Sequence, residues 1–391
     1  MLRLTFLFLS CALFAGAERG FDASAVDKAL KEAVGPKGVP GVVAMVATPD
    51  AVLYRAAFGE ARAGRTVTPD TVFRIFSMTK PVTSVAAMQL VEQGKLALDA
   101  PVERYLPQMA GLKVLTGYDA NGKPVLQPAR SQPTLRQLLS HSAGFGYGFW
   151  DEKLVRHPDK PNYLQAPLLF HPGERWQYGT NTDLMGKIVE TVSGQNLEDY
   201  FRAHIFAPLG MKETAFLPAA AVQERIVSRY DRQADGTWKE EPQPAPANVT
   251  PRGGAGLFST AADYIRFLQM FLHGGEKVLS KKSVAEMRRN QIGKNNVRLM
   301  KSTNQAFSRD FGFHLEAGDK FGLGFQINPV AYQHGRGKNS MAWAGAMNTF
   351  FWIDPENKVC AVILMQTVPF FDEPAVKALH AFESAVYQGL R

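Results

Sequence analysis

Strand-like hydrophobic pattern concentrates at the two ends of this 391-residue chain, and helical pattern fills the space between them. Near the N-terminus, Val42–Ala47 and Val52–Ala57 read as two strands joined by Thr48-Pro49-Asp50-Ala51. Near the C-terminus, Asn348–Ile353 and Val359–Met365 form a second such pair across Asp354-Pro355-Glu356-Asn357. Helical spacing marks Val26–Val34 before the first pair and Pro374–Leu390 after the last, and between the pairs it marks Val82–Gln93, Leu135–Leu139, Thr182–Val192, Leu197–His204 and Ala261–Leu272. Two strands make a poor sheet alone, so the pairs are expected to join. This predicts an α/β (α+β) fold in which both chain ends build one antiparallel sheet flanked by helices. On that reading a sheet subdomain takes approximately residues 20–75 and 250–391, and a mostly helical region, approximately 76–249, is inserted. A cleft between the two is the place to look for a site.

The first residues are read separately. Arg3 supplies a positive charge, Leu4–Ala15 is an almost unbroken apolar run, and Ala15-Gly16-Ala17 puts small residues ahead of Glu18-Arg19. Charge, apolar core and small-residue exit in that order describe a secretory signal peptide with cleavage after Ala17. The run is shorter than the roughly 20 apolar residues a membrane anchor needs. A lipoprotein reading through Cys11 has a poor match in Phe8-Leu9-Ser10. Residues 1–17 are therefore expected to direct export, to a periplasmic or secreted location, with no stable membrane insertion.

Cleavage removes Cys11 and leaves Cys360 as the single cysteine, so no internal disulfide is available. Cys360 lies in an apolar strand-like run and reads as a packing residue. A hydrophobic share of 46% with 20% charged residues is that of an ordinary globular protein. The formal charge of +8 is scattered. Its densest cluster, Lys277, Lys281, Lys282, Arg288 and Arg289, reads as a solvated helix face and carries no nucleic-acid motif. No His, Cys and carboxylate cluster has metal-ligand spacing, and no Gly-x-Ser-x-Gly elbow is present.

Candidate chemistry begins at Phe76-Ser77-Met78-Thr79-Lys80-Pro81. Proline is tolerated only in the first turn of a helix, which places Ser77 at or near a helix start. Ser77 and Lys80, three apart, share a helix face with Cβ atoms ~5–6 Å apart. A serine hydroxyl needs a base to become a nucleophile. Lysine can serve once burial or a nearby cation lowers its pKa. The pattern alone is weak, since about one match is expected by chance in a chain of this size, and it fits equally a capping serine followed by a solvated lysine.

Its surroundings carry more. The segment from Phe76 to Leu96 resembles the active-site segment of the serine β-lactamase-related family, which contains class C β-lactamases, D-alanyl-D-alanine carboxypeptidases and a carboxylesterase group (family VIII-like). Leu138–Phe149, Pro172–Tyr178, Gly253–Ala261 and Trp343-Ala344-Gly345 resemble further family segments in the same order, so the likeness spans nearly the whole mature chain. The resemblance implies a β-lactamase/penicillin-binding-protein-like fold, Ser77 as nucleophile, Lys80 as base and Tyr178 as second proton carrier. It also implies an oxyanion hole and substrate-binding edge from Ser77 and the Trp343–Ala346 strand, through Gly345 or its neighbour Ala346. His141 is expected to shape the cleft rather than to act as a triad histidine, with Asp183 supporting the site from behind.

Departures from the family pattern point to a subgroup. Where class C β-lactamases have Tyr-x-Asn, this chain has Tyr178-Gly179-Thr180 with Asn181 one place late, and the spacing to Asp183 is more similar to the esterases. The Lys-Thr-Gly of the sheet edge is replaced by Trp343-Ala344-Gly345. An indole cannot hold a substrate carboxylate by charge. The expected activity is a cofactor-free carboxylesterase on short-chain esters. The alternatives are a lactam or D-alanyl-peptide hydrolase, an acyltransferase, and a penicillin sensor that acylates without turnover. The expected partner is a small ester or lactam, not a nucleic acid.

Overall fold

The computed structural model describes residues 20–243 and 248–390, so the expected leader, residues 1–17, lies outside the described residues. The two chain ends do meet. Gly41–Ala47 pairs antiparallel with Val359–Leu364, Val43 facing Leu364 and Ala47 facing Cys360. From this seam an eight-stranded antiparallel sheet grows outward. One side adds Val52–Arg62 and Arg65–Thr66; the other adds Thr349–Asp354, Met341–Gly345, Gln326–Ile327 and Lys320–Phe321. Every residue of the three central strands Gly41–Ala47, Val359–Leu364 and Thr349–Asp354 is buried, which explains their continuous apolar runs. Cys360 is among them, fully buried.

Alternation along Thr349–Asp354 shows what covers each face. Trp352 packs on Phe382 and donates its indole N–H to Tyr387, both on the C-terminal helix Glu373–Gly389, which packs with Ser24–Ala33. Its neighbour Phe351 points the other way, onto Tyr264 of Ala261–Leu272. Beyond that helix lies Thr79–Glu92, whose residues from Thr79 to Leu90 are all buried. Enclosed along this whole length although it carries Lys80 and Gln89, the helix is part of the core and packs mainly against Asn181–Ser193.

The sequence expectation for residues 76–249 needs one correction. Helices do occupy Leu135–Leu139, Asn181–Ser193 and Leu197–Phe201. The same span also holds a hairpin, Lys113–Tyr118 with Pro124–Pro128, and a pair, Arg229–Arg232 with Trp238–Glu241, extended by Thr367–Val368. These strands are short and half-exposed, so alternation along them is weak. The helix expected through His204 becomes a π turn at Arg202–Phe206.

Candidate active site

Ser77 is held by a bend rather than by the helix itself. Phe73–Arg74 pairs with Phe258–Ser259; then Phe76 takes a left-handed φ of 43° and Phe76–Met78 forms one 3₁₀ turn leading into Thr79–Glu92. A non-glycine residue in that region costs on the order of 1–3 kcal/mol and persists only where its surroundings enforce it. The enforcement is visible at Gly345, where a Cβ would lie 2.3 Å from the Ile75 carbonyl oxygen, so the Met341–Gly345 strand presses directly against the bend. Pro81 sits in the first helical turn, as its ring requires.

Lys80 is 1% exposed. Its Nζ lies 3.2 Å from Ser77 Oγ, 3.1 Å from the Tyr147 hydroxyl and 2.7 Å from the Gly254 carbonyl oxygen. A neutral amine has two N–H donors and one lone pair. With the Gly254 carbonyl and the Tyr147 oxygen accepting its hydrogens, the lone pair is left facing Ser77. Burial brings Lys80 down to about 7, with Asp183 opposing that shift and Arg252 adding to it. The site therefore contains an amine that is substantially neutral near pH 7 beside a serine hydroxyl.

Tyr178 closes the other side. It hydrogen-bonds with the Ser77 side chain, its ring faces Lys80 Nζ at 4.7 Å, and its oxygen accepts the Trp343 indole N–H at 3.3 Å. Burial raises its pKa well above the usual phenol value, against the pull of the Ser77 and Trp343 hydrogen bonds. At neutral pH Tyr178 thus holds its proton, and Lys80 is the group able to accept one.

His141, itself at φ 55°, lies under this pair with its ring 4.7 Å from that of Tyr178. Its Nδ1 faces the Gly179 N–H at 3.4 Å and the Asn181 amide nitrogen at 2.9 Å. Both are donors, so Nδ1 accepts and the hydrogen sits on Nε2. Burial and the Lys80 charge hold His141 well below the usual imidazole range, so it stays neutral. It pins the turn after Tyr178 and has no hydrogen bond to Ser77.

Asp183 is buried at the start of Asn181–Ser193. It pairs with Arg252 Nε at 3.0 Å and accepts the Gly254 N–H at 3.3 Å and the Tyr147 hydroxyl at 3.3 Å. The glycines of Arg252-Gly253-Gly254 make this approach possible: a Cβ on Gly253 would meet the Thr182 carbonyl oxygen at 2.3 Å, and one on Gly254 would meet Asp183 Oδ2 at 2.4 Å.

The cavity over Ser77 has a volume of ≈ 140 Å³ and is walled mostly by rings: Tyr147, Phe149, Trp150, Phe307, Phe311, Trp343 and Phe370. Ala344 and Ala346 line it, whereas Gly345 between them turns toward Ile75. Of the two sequence candidates for the oxyanion edge, the structure therefore brings Ala346 to the cavity. Nor is Trp343 on the outermost strand, because Gln326–Ile327 flanks it; that pairing reaches only Met341 and Ala342. Sequence reading gave no role to Tyr147, Arg252 or the Gly254 carbonyl. Tyr147 stood in plain view within Gly144-Phe145-Gly146-Tyr147-Gly148, but spacing alone could not direct it to Lys80.

Residues 26–385 match the model of the Beta-lactamase family. The chain belongs to that family, the one its ordered segments resemble, and is an enzyme of the serine-hydrolase type. Among its relatives, esterase EstB of Burkholderia gladioli is 34% identical over 289 residues, covering 63% of this chain and 69% of that protein. Monacolin J acid methylbutanoyltransferase of Aspergillus terreus is 29% identical over 406 residues, covering 93% and 95%. Among solved structures, unliganded simvastatin synthase (LovD) from Aspergillus terreus superposes with a TM-score of 0.81 at 26% identity, covering 93% of this chain and 97% of that one. The antiparallel sheet flanked by helices is thus the β-lactamase and penicillin-binding-protein fold.

Proposed function

We propose that this enzyme hydrolyses carboxylic esters with an uncharged, apolar acyl group through an acyl-enzyme on Ser77. The observation that carries the reading is the commitment of every charge at the cavity. Arg252 is the one cation among its lining residues, and it is paired with Asp183. Where the family's β-lactamases carry a lysine for the substrate carboxylate stands Trp343, whose N–H is directed to Tyr178. A negatively charged lactam would enter this aromatic cavity without a free counter-charge. The esterase and acyltransferase relatives support an ester substrate.

In the proposed mechanism neutral Lys80 takes the Ser77 proton as Oγ attacks the ester carbonyl. Backbone N–H groups of Ser77 and Ala346 stabilise the oxyanion. Tyr178 protonates the departing alkoxide and recovers a proton from the Lys80 ammonium, so the serine proton leaves with the alcohol. Water, activated by the same groups in reverse, then releases the acid. The test is hydrolysis of p-nitrophenyl acetate, butyrate and octanoate beside nitrocefin, with Ser77→Ala as control. Ser77-dependent ester turnover with little nitrocefin cleavage is expected; faster nitrocefin cleavage would put a lactamase first.

A second reading, acyl transfer to an alcohol, is favoured by one observation. Another cavity adjoins the first and shares Tyr147, Phe149 and Arg252 with it, continuing past Leu154, Asn162, Tyr163 and Thr180. It offers room for an acceptor beside the acyl-enzyme. Ester product formed from p-nitrophenyl butyrate and added 1-butanol, exceeding the free acid, would favour transfer over hydrolysis. Export is proposed on the leader pattern of residues 1–17, and N-terminal sequencing of the mature protein beginning at Glu18 would establish it.

A further inference from the structure

Asp183 is a buried carboxylate with two basic side chains in its neighbourhood, Lys80 and Arg252, and it pairs with Arg252. Tyr147 stands between the carboxylate and the lysine: its hydroxyl donates to Asp183 Oδ2 at 3.3 Å and lies 3.1 Å from Lys80 Nζ. Gly254 spans the same gap through its backbone, giving its N–H to Asp183 Oδ1 and its carbonyl to Lys80. We propose that Arg252 is a positioning residue: by occupying Asp183 it withholds the carboxylate from Lys80 and leaves the amine free to take the serine proton. This deepens the esterase reading and rests on it.

The physical argument is a competition for one buried charge. An unpaired carboxylate in a desolvated site draws a proton onto the nearest amine. Without Arg252, that amine is Lys80. The titratable and charged groups around Lys80 are Tyr147 from its loop, Tyr178 and His141 from the far wall, and Asp183 and Arg252. Tyr163, under the Arg252 guanidinium at 5.1 Å, also feels Asp183. Both tyrosines over Lys80 are raised by burial and stay neutral, and His141 is held neutral. Asp183 and Arg252 are therefore the charged pair that biases the lysine. Asp183 pushes Lys80 toward its protonated form and Arg252 pushes it away. The Arg252 side chain is 49% exposed, so it can be exchanged without opening the core.

The test is the pH dependence of kcat/KM for p-nitrophenyl butyrate in the parent, Arg252→Gln, Arg252→Lys and the double variant Arg252→Gln/Asp183→Asn, with Ser77→Ala as blank. The position of the acid limb is the readout, not the height of the plateau. Arg252→Gln is expected to move the limb up by ~1 pH unit. Arg252→Lys should bring it part of the way back, and the double variant should return it toward the parent because the unpaired charge is gone. A limb that stays in place in Arg252→Gln while activity falls equally at all pH values overturns the proposal in favour of a packing role. A change in KM alone overturns it in favour of substrate contact. Turnover that survives Ser77→Ala would remove the esterase reading itself, and this inference with it.

Discussion

Lys80 and Gly254 are 174 residues apart in the chain, yet Lys80 Nζ donates to the Gly254 carbonyl oxygen at 2.7 Å, the shortest of its three hydrogen bonds. The contact exists because Gly253 and Gly254 have no side chains, which lets their backbone lie against the start of Asn181–Ser193. Gly254→Ala would drive a Cβ to 2.4 Å from Asp183 Oδ2. The expected result is a loss of roughly 1–3 kcal/mol in stability, as for other overpacked sites, with a fall in kcat larger than the change in KM. Denaturant unfolding and steady-state kinetics on one preparation check both.

The parent pH profile follows from the direction of the Lys80 shift. A base works deprotonated, and burial lowers Lys80 from 10.5 to about 7. Activity is therefore expected to rise with pH through about 7 and to flatten above it. A profile still climbing steeply at pH 9 would show that the amine is charged at neutral pH.

The same shift makes a prediction for stability, with its sign set by linkage. Lys80 binds fewer protons folded than unfolded between about 7 and 10.5. Stability attributable to this residue therefore rises with pH across that window and is lowest below it. Lys80→Met is expected to be inactive, and its thermal midpoint relative to the parent should be highest at pH 6 and fall by pH 10. Equal differences at both pH values would mean that the lysine titrates alike in both states.

Tyr147 and Tyr178 separate by role. Tyr178→Phe removes the proton donor beside Ser77 and is expected to lower kcat by ~10²-fold or more. Tyr147→Phe keeps the ring but deprives Lys80 of an acceptor and Asp183 of a donor. It should cost less in rate, while shifting the acid limb of kcat/KM. Equal rate losses with no limb movement in Tyr147→Phe would mean that both hydroxyls move protons.

The local signals in the chain were the reliable ones. Near-continuous apolar runs marked the paired strands at each end and the buried helix Thr79–Glu92, and hydrophobic period marked Ala261–Leu272, whose buried face repeats along its own residues. The Ser77–Lys80 spacing needed only one helical turn. Strands of four to six residues with half-exposed faces, such as Lys113–Tyr118 and Arg229–Arg232, carry too little pattern to stand out from the helices around them. The chemistry depended on neighbours from elsewhere. Burial by residues distant in the chain brings Lys80 down to about 7, with Arg252 adding to the shift and Asp183 opposing it, and burial also keeps the proton on Tyr178 against the hydrogen bond from Trp343, 165 residues on. Residue identity and period decide which elements form. Desolvation and Coulomb interaction fall off with distance in space, not along the chain, so only the folded arrangement lowers the pKa of this lysine and raises that of this tyrosine.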